Sequence, residues 1–136
     1  MSIIVTDSGF GPDNWTTDFA PLGEAANDTP ALDVDSDVDP ADIPLSAHMI
    51  RVNIGASADG RGFTIARMLR LRGYTGRLRA KGHVLADQYA MARRCGFDEV
   101  EISQALAARQ PEDQWLFRAD WTAHNYQARL RGSSAA

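Results

Sequence analysis

Met49-Ile50-Arg51-Val52-Asn53-Ile54-Gly55-Ala56-Ser57-Ala58-Asp59-Gly60-Arg61-Gly62-Phe63-Thr64-Ile65-Ala66-Arg67-Met68-Leu69 changes its period midway. The first six residues have the β-branched alternation of a strand, whereas Ile65, Met68, Leu69 and Arg72 share one helical face. The glycine-rich stretch 58–64 therefore marks the point where a strand hands over to a helix. In α/β folds that carboxyl edge of the sheet is the usual ligand site.

Reading outward, the pattern stays regular: strand 49–54, helix 62–72, strand 76–80, helix 84–95, strand 98–102 and a helical piece near Gln104–Arg109. This βαβαβα series contains an echo, because Arg72-Gly73-Tyr74 closes the first helix and Arg94-Cys95-Gly96-Phe97 closes the second. Glycine just past a helix end, followed by an apolar residue, suits a Schellman C-cap. Such units build neighbouring parallel strands joined by crossovers. The expected fold is α/β: a small, mostly parallel sheet with an N-terminal strand or hairpin added, resembling a partial β/α barrel.

The expected organisation is one domain over 1–136. Residues 1–23 read as a strand or hairpin, with Ile3-Ile4-Val5 ahead of a turn-rich run and Trp15 and Phe19 as anchors. Residues 24–47 read as an acidic loop or linker. Residues 48–110 form the βαβαβα core, 111–130 a closing aromatic segment, and 131–136 a disordered tail. Asp33, Asp35, Asp37 and Asp39 alternate in the acidic stretch, but the run lacks the central glycine and terminal glutamate of an EF-hand, which leaves a solvated loop.

Composition is that of an ordinary globular chain, with 44% apolar and 24% charged residues in 136. Nothing approaches the roughly 20 apolar residues that span a bilayer, and the N-terminus lacks the pattern of a signal peptide, so a cytoplasmic protein that binds no membrane is expected. The single cysteine, Cys95, excludes an internal disulfide and a cysteine-based zinc site. The net charge of −4 hides an asymmetry, because residues 1–48 hold ten acids and no Lys or Arg while 51–94 hold ten bases and two acids. The two parts attract each other.

If the three core strands run parallel, their carboxyl ends bring together Asp59, Gly60, Arg61 and Gly62; Lys81, Gly82 and His83; and Ser103 and Gln104. Asp87 and Gln88 follow one turn into the second helix. Helix-start N–H groups, close-approach glycines and the charges of Arg61 and Lys81 suit a phosphate or another small oxyanion. Equally, Asp59 can cap the helix and Arg61 can pair with an acid. His83 and Asp87 are the candidates for moving protons, at reachable i, i+4 spacing; an ordinary surface histidine explains the same residue. No metal site is expected from His48, His83 and His124.

Two nucleotide motifs fail. Gly55-x-x-x-x-Gly60-Arg61-Gly62 has Arg and Gly where a P-loop needs Lys and Ser or Thr, and a G-x-G-x-x-G is absent. The basic run Arg67, Arg70, Arg72, Arg77, Arg79 and Lys81 lacks the interleaved aromatics of a single-strand platform, so no nucleic acid is expected. An acidic protein partner suits the same residues.

The stretch from Asp59-Gly60-Arg61-Gly62-Phe63 through Gly76-Arg77-Leu78-Arg79-Ala80-Lys81-Gly82-His83-Val84-Leu85-Ala86-Asp87-Gln88 to Arg94-Cys95-Gly96-Phe97-Asp98 resembles a bacterial family, domain of unknown function 934. Asp13-Asn14-Trp15 and Tyr126-Gln127 look like family features as well. The chain departs at Gly55-Ala56-Ser57-Ala58, where relatives carry phenylalanines. The family's customary label, a probable oxidoreductase or accessory protein, implies a link to assimilatory sulfite reduction and a sulfite reductase component as partner. No cofactor of its own is expected, since the sequence carries neither a cysteine cluster nor a dinucleotide fingerprint. The leading expectation is a non-catalytic accessory protein that uses the 59–63 loop and the basic helix face. The alternative is a small enzyme on an anionic sulfur or phosphate substrate, and exposed sheet edges make a homodimer an expectation too.

Overall fold

Strand Ser2–Thr6 (β1) and strand Gly9–Gly11 (β2) open the fold as a hairpin, in a computed structural model that describes residues 2–24, 30–55 and 60–119. Strands Ala20–Pro21 (β3), Ala31–Asp35 (β4) and Met49–Ile54 (β5) follow, then helix Arg61–Leu71 (α1). Strand Arg77–Gly82 (β6), helix Tyr89–Cys95 (α2), strand Glu99–Ser103 (β7) and helices Gln104–Arg109 (α3) and Glu112–Arg118 (α4) complete it. The seven strands form one sheet in the order β2-β1-β7-β6-β5-β4-β3. β3 to β7 run parallel, β1 pairs antiparallel with β7, and β2 pairs antiparallel with β1 at the edge, a mostly parallel α/β sheet.

The pleat sorts side chains to two unlike faces. Leu32, Val34, Ile50, Val52, Ile54, Leu78, Ala80, Val100 and Ile102 are buried together with Phe63, Ile65, Ala66 and Leu69 of α1, Tyr89 and Ala92 of α2, and Trp115 of α4. On α1 the buried stripe is Gly62, Ile65, Ala66 and Leu69, spaced i, i+3, i+4, i+7. Met68, expected on that face, is 42% exposed instead.

The alternate residues carry charge. Register lines up Asp33, Arg51, Arg79 and Glu99 in one row, and Asn53, Lys81 and Glu101 in the next. Arg51 and Arg79 stand directly opposite, a repulsive cross-strand pair. Carboxylates on both sides offset it, as Arg51 binds Asp33 at 2.9 Å and Glu101 at 3.2 Å.

Within the stretch expected to be an acidic loop, Ala31–Asp35 instead form β4 between β3 and β5. Leu32 and Val34 enter the core while Asp33 and Asp35 alternate with them, so the aspartate period is the polar half of a strand pattern. The helix expected over 84–95 begins as a 3-10 turn, Ala86–Gln88, and becomes α-helical at Tyr89. The two helix ends that echo each other are both Schellman turns. Tyr74 N donates to Leu69 O and Gly73 N to Arg70 O, while Phe97 N donates to Ala92 O and Gly96 N to Arg93 O. Both glycines have positive φ, 97° and 116°. Arg70 ties the turns together through Gly96 O at 2.8 Å, Tyr74 O at 3.0 Å and Gly76 O at 2.7 Å.

Candidate functional site

The carboxyl ends of β5, β6 and β7 share one edge of the sheet, and the residues expected to gather there divide between separate hollows. Asp59 lies outside the described residues. Gly60 is the N-cap residue of α1 and supplies no side-chain cap bond. Arg61 and Thr64 line a hollow of about 300 Å³ against Asp37, Val38, Asp39 and Pro40. Gly62 is buried, and a Cβ there would come within 2.8 Å of Ile54 Cγ1.

Lys81, Gly82 and His83 instead line a hollow of about 160 Å³ with Ser2, Glu101, Ser103 and Arg109. Gly82 sets its shape. It sits at φ 125°, and a Cβ would lie 2.2 Å from Ile54 O, so only glycine lets β6 end this close to β5. His83 N donates to the same Ile54 O at 3.2 Å, which turns the chain outward and leaves the imidazole exposed. Ser103 caps α3 by accepting from Leu106 N at 3.1 Å, and its hydroxyl proton remains to donate.

Glu101 is the carboxylate among the lining residues, and it is already matched. Its Oε1 accepts from Arg79 Nη1 at 2.9 Å and from Arg51 Nη1 at 3.2 Å, with only 5% of the side chain exposed. Lys81 Nζ stands 4.0 Å from its other oxygen and is 40% exposed, the outer limit of an ion pair. Among the described residues no ion pair engages Arg109, which ends α3 at the solvent. Lys81, Arg109 and the His83 ring thus surround a concavity whose own acid is spent on other cations.

Behind the hollow lies a layer of ion pairs sealed by the 12–19 stretch. Arg79 is fully buried; its Nη2 meets Asp13 at 2.9 Å and its Nε meets Glu99 at 2.7 Å. Arg77 donates to Glu99 and to Asn14 Oδ1, the latter at 2.7 Å. The Phe19 ring lies 3.8 Å from the Arg51 guanidinium and the Trp15 ring 5.9 Å from that of Arg77, both cation–π contacts. The hydrogen bond from Arg79 holds the Asp13 carboxyl below its ordinary value. Burial pushes Asp33 up, but hydrogen bonds from Arg51 and Asn53 and the Arg51 charge outweigh it and leave the carboxyl lowered. Burial acts against the charge of Arg51 and Arg79, and their acid partners outweigh it and raise both.

The remaining candidates have structural partners. Gln88 Oε1 accepts from Leu85 N at 2.9 Å and closes the start of the 3-10 turn. Asp87 accepts from Arg118 at 3.0 Å with 82% of its side chain exposed, in hollows lined by α2 and α4 rather than by His83. Much of the basic run is also spoken for: Arg79 is buried, Arg70 holds the helix-end turns, and Arg72 Nη1 donates to Pro40 O at 2.6 Å and Ile43 O at 2.7 Å. Arg109, Glu101 and Ser2 are the polar lining residues that the sequence reading passes over. The alternation Arg77-x-Arg79-x-Lys81 facing Glu99-x-Glu101 is the signal that exposes this charged face, once both are read as strands.

Among the described residues no helix is long and apolar enough to cross a membrane, and no group of three or more His, Cys, Asp or Glu is placed to hold a metal ion. A family model described as "Bacterial protein of unknown function (DUF934)" matches residues 31–136. The match starts at the first residue of β4, so Asp13-Asn14-Trp15 lies outside it. No curated protein and no solved structure matches the chain.

Proposed function

We propose, from the premise that the chain belongs to the DUF934 family of bacterial proteins of unknown function, that it is a non-catalytic accessory protein of assimilatory sulfite reduction. In this reading it works in the cytoplasm and holds a small oxyanion, or an anionic group of its partner, between Lys81, His83 and Arg109. One observation carries the binding part: Glu101, the acid lining the hollow, makes its hydrogen bonds to Arg79 and Arg51 and stands 4.0 Å from Lys81, so among the described residues Lys81 has only a long ion pair and Arg109 has none. Ser103 and the His83 ring add hydrogen-bond donors to those charges, the combination that oxyanions favour. The volume, about 160 Å³, lies below the roughly 300–1,000 Å³ of pockets that take larger organic ligands, and suits a small anion rather than a nucleotide.

The pathway comes from the family resemblance, and it makes sulfite the first ligand to try. An iron–sulfur centre would have to arrive with the partner, because one cysteine cannot hold such a cluster. A sulfite reductase component is therefore the proposed partner. Melting curves with sulfite, sulfate and chloride at matched ionic strength test the ligand, since an anion bound only by the folded state raises Tm. Sulfite is expected to raise it, and Arg109→Ala or Lys81→Ala to abolish the rise. No rise beyond that of chloride refutes oxyanion binding. For the partner, a pull-down that fails to enrich the reductase removes the pathway assignment.

The second reading, a small enzyme on the same anion, has one observation in its favour: His83 lines the same hollow. It would have to move protons without Asp87, whose carboxylate binds Arg118. Turnover of a sulfur oxyanion that His83→Ala abolishes while binding survives would favour this reading over the first.

A further inference from the structure

The outer side of the helical layer carries a groove, rimmed by charged residues around Phe117 and Met91, that the oxyanion hollow leaves unused. Between α2 and α4 two adjoining hollows of about 340 and 410 Å³ share Asp87, Phe117 and Arg118. Phe117 is 73% exposed, and Met91 and Leu116 are each 43% exposed. So large an aromatic side chain in water, beside methionine and a concavity, is the composition of a protein-binding surface.

The charges show which protein. On α4, Asp113 and Phe117 are one turn apart, as are Gln114 and Arg118, so these four residues form one stripe. The stripe is acidic at its amino end and basic at its carboxyl end. Laid antiparallel on a copy of itself about a two-fold axis, it is complementary: Asp113 of each chain faces Arg118 of the other, and each Phe117 enters the hollow beside the other's Gln114. Helix dipoles also favour that antiparallel arrangement. The Asp87–Arg118 bridge does not compete strongly, because both side chains are exposed, at 82% and 42%. The sheet edges offer less. β2 has three residues and β3 has two, one of them Pro21.

We infer that the α2–α4 groove is an isologous dimer interface in which Phe117 and the Asp113-to-Arg118 stripe pair with a second copy of this chain. Sedimentation equilibrium of the full chain tests this. A species of twice the chain mass that dissociates on dilution is expected. Phe117→Glu is expected to abolish it with the far-UV circular dichroism unchanged. Asp113→Arg is expected to weaken the dimer at least tenfold, and Asp113→Arg combined with Arg118→Asp to restore most of that loss.

Two results overturn the proposal: a dimer that survives Phe117→Glu, and a monomer at every concentration. In the second case a lower melting temperature for Phe117→Glu would mean that the chain fills its own groove. None of these outcomes bears on anion binding at Lys81 and Arg109, so the two readings fail separately.

Discussion

Gly82 is where the backbone of the sheet and the shape of the hollow are decided together. Replacing it with alanine forces a Cβ to within 2.2 Å of Ile54 O at a φ of 125°, a backbone contact that cannot rotate away. Gly82→Ala is expected to destabilise by roughly 2–4 kcal/mol, read from urea unfolding midpoints at constant m. A loss under about 0.5 kcal/mol, the range of an ordinary surface substitution, would mean that β6 does not end against β5. Arg109 is the opposite kind of residue. It is exposed at the end of α3, so Arg109→Ala should leave stability within about 0.5 kcal/mol while removing oxyanion binding. Glycine at 82 and the neighbouring Lys81 and His83 are legible in the sequence because a K-G-H turn after a strand is a local signal. Arg109 is not, because only the packing of α3 beside β7 brings it to the same hollow.

At the scale of elements, the charged sheet face and the 12–19 stretch stabilise each other. Arg79 has no solvent exposure and three carboxylates on its guanidinium. Arg79→Leu strands Glu99 and Glu101 without their shared cation and is expected to cost about 3–5 kcal/mol. Replacing Arg79 together with both acids by apolar residues of similar volume should recover much of that. The pH dependence follows from the same layer. Asp13 and Asp33 lie below the ordinary value of 3.8 in the folded chain. Their contribution is present above pH 3.8 and is lost as pH falls through it toward their folded values. Urea midpoints should therefore hold from neutral pH to just above 4 and drop below it. Asp13→Asn should flatten part of that drop, and an unchanged acid limb would show that the stretch is not anchored through Arg79. On the alkaline side, burial pushes Tyr74 up to about 12. Its neutral form stabilises the fold below about pH 10, the unfolded tyrosine value, and that contribution is lost as pH rises through 10 toward 12.

These elements also show where sequence reading succeeds and stops. The helix ends at Gly73 and Gly96 are local events, fixed by a glycine and the apolar residue after it, and both occur where they are expected. β4 is masked in the sequence because its polar half, Asp33 and Asp35, opens a run of four aspartates at every second position, which reads as a solvated loop until Arg51 is placed beside Asp33. The basic run is legible as charge but not as function. Whether an arginine is a binding residue or the partner of a buried glutamate depends on strand register, a nonlocal property.

Over the whole molecule, the sheet divides its labour between faces. One face carries the apolar core under α1, α2 and α4, the other holds the ion-pair layer, and the carboxyl edge between them presents Lys81 and Arg109 beside the His83 ring. The mostly parallel α/β sheet expected from the βαβαβα rhythm is present, with the N-terminal hairpin added antiparallel at β7. The claim that this edge is an oxyanion site is tested most directly by titrating sulfite into isotopically labelled protein and following backbone amide shifts. Saturable shifts confined to residues around Lys81–His83, Ser103 and Arg109, absent with chloride and lost in Arg109→Ala, are the predicted result. Shifts that do not saturate, or that fall elsewhere on the chain, would contradict it.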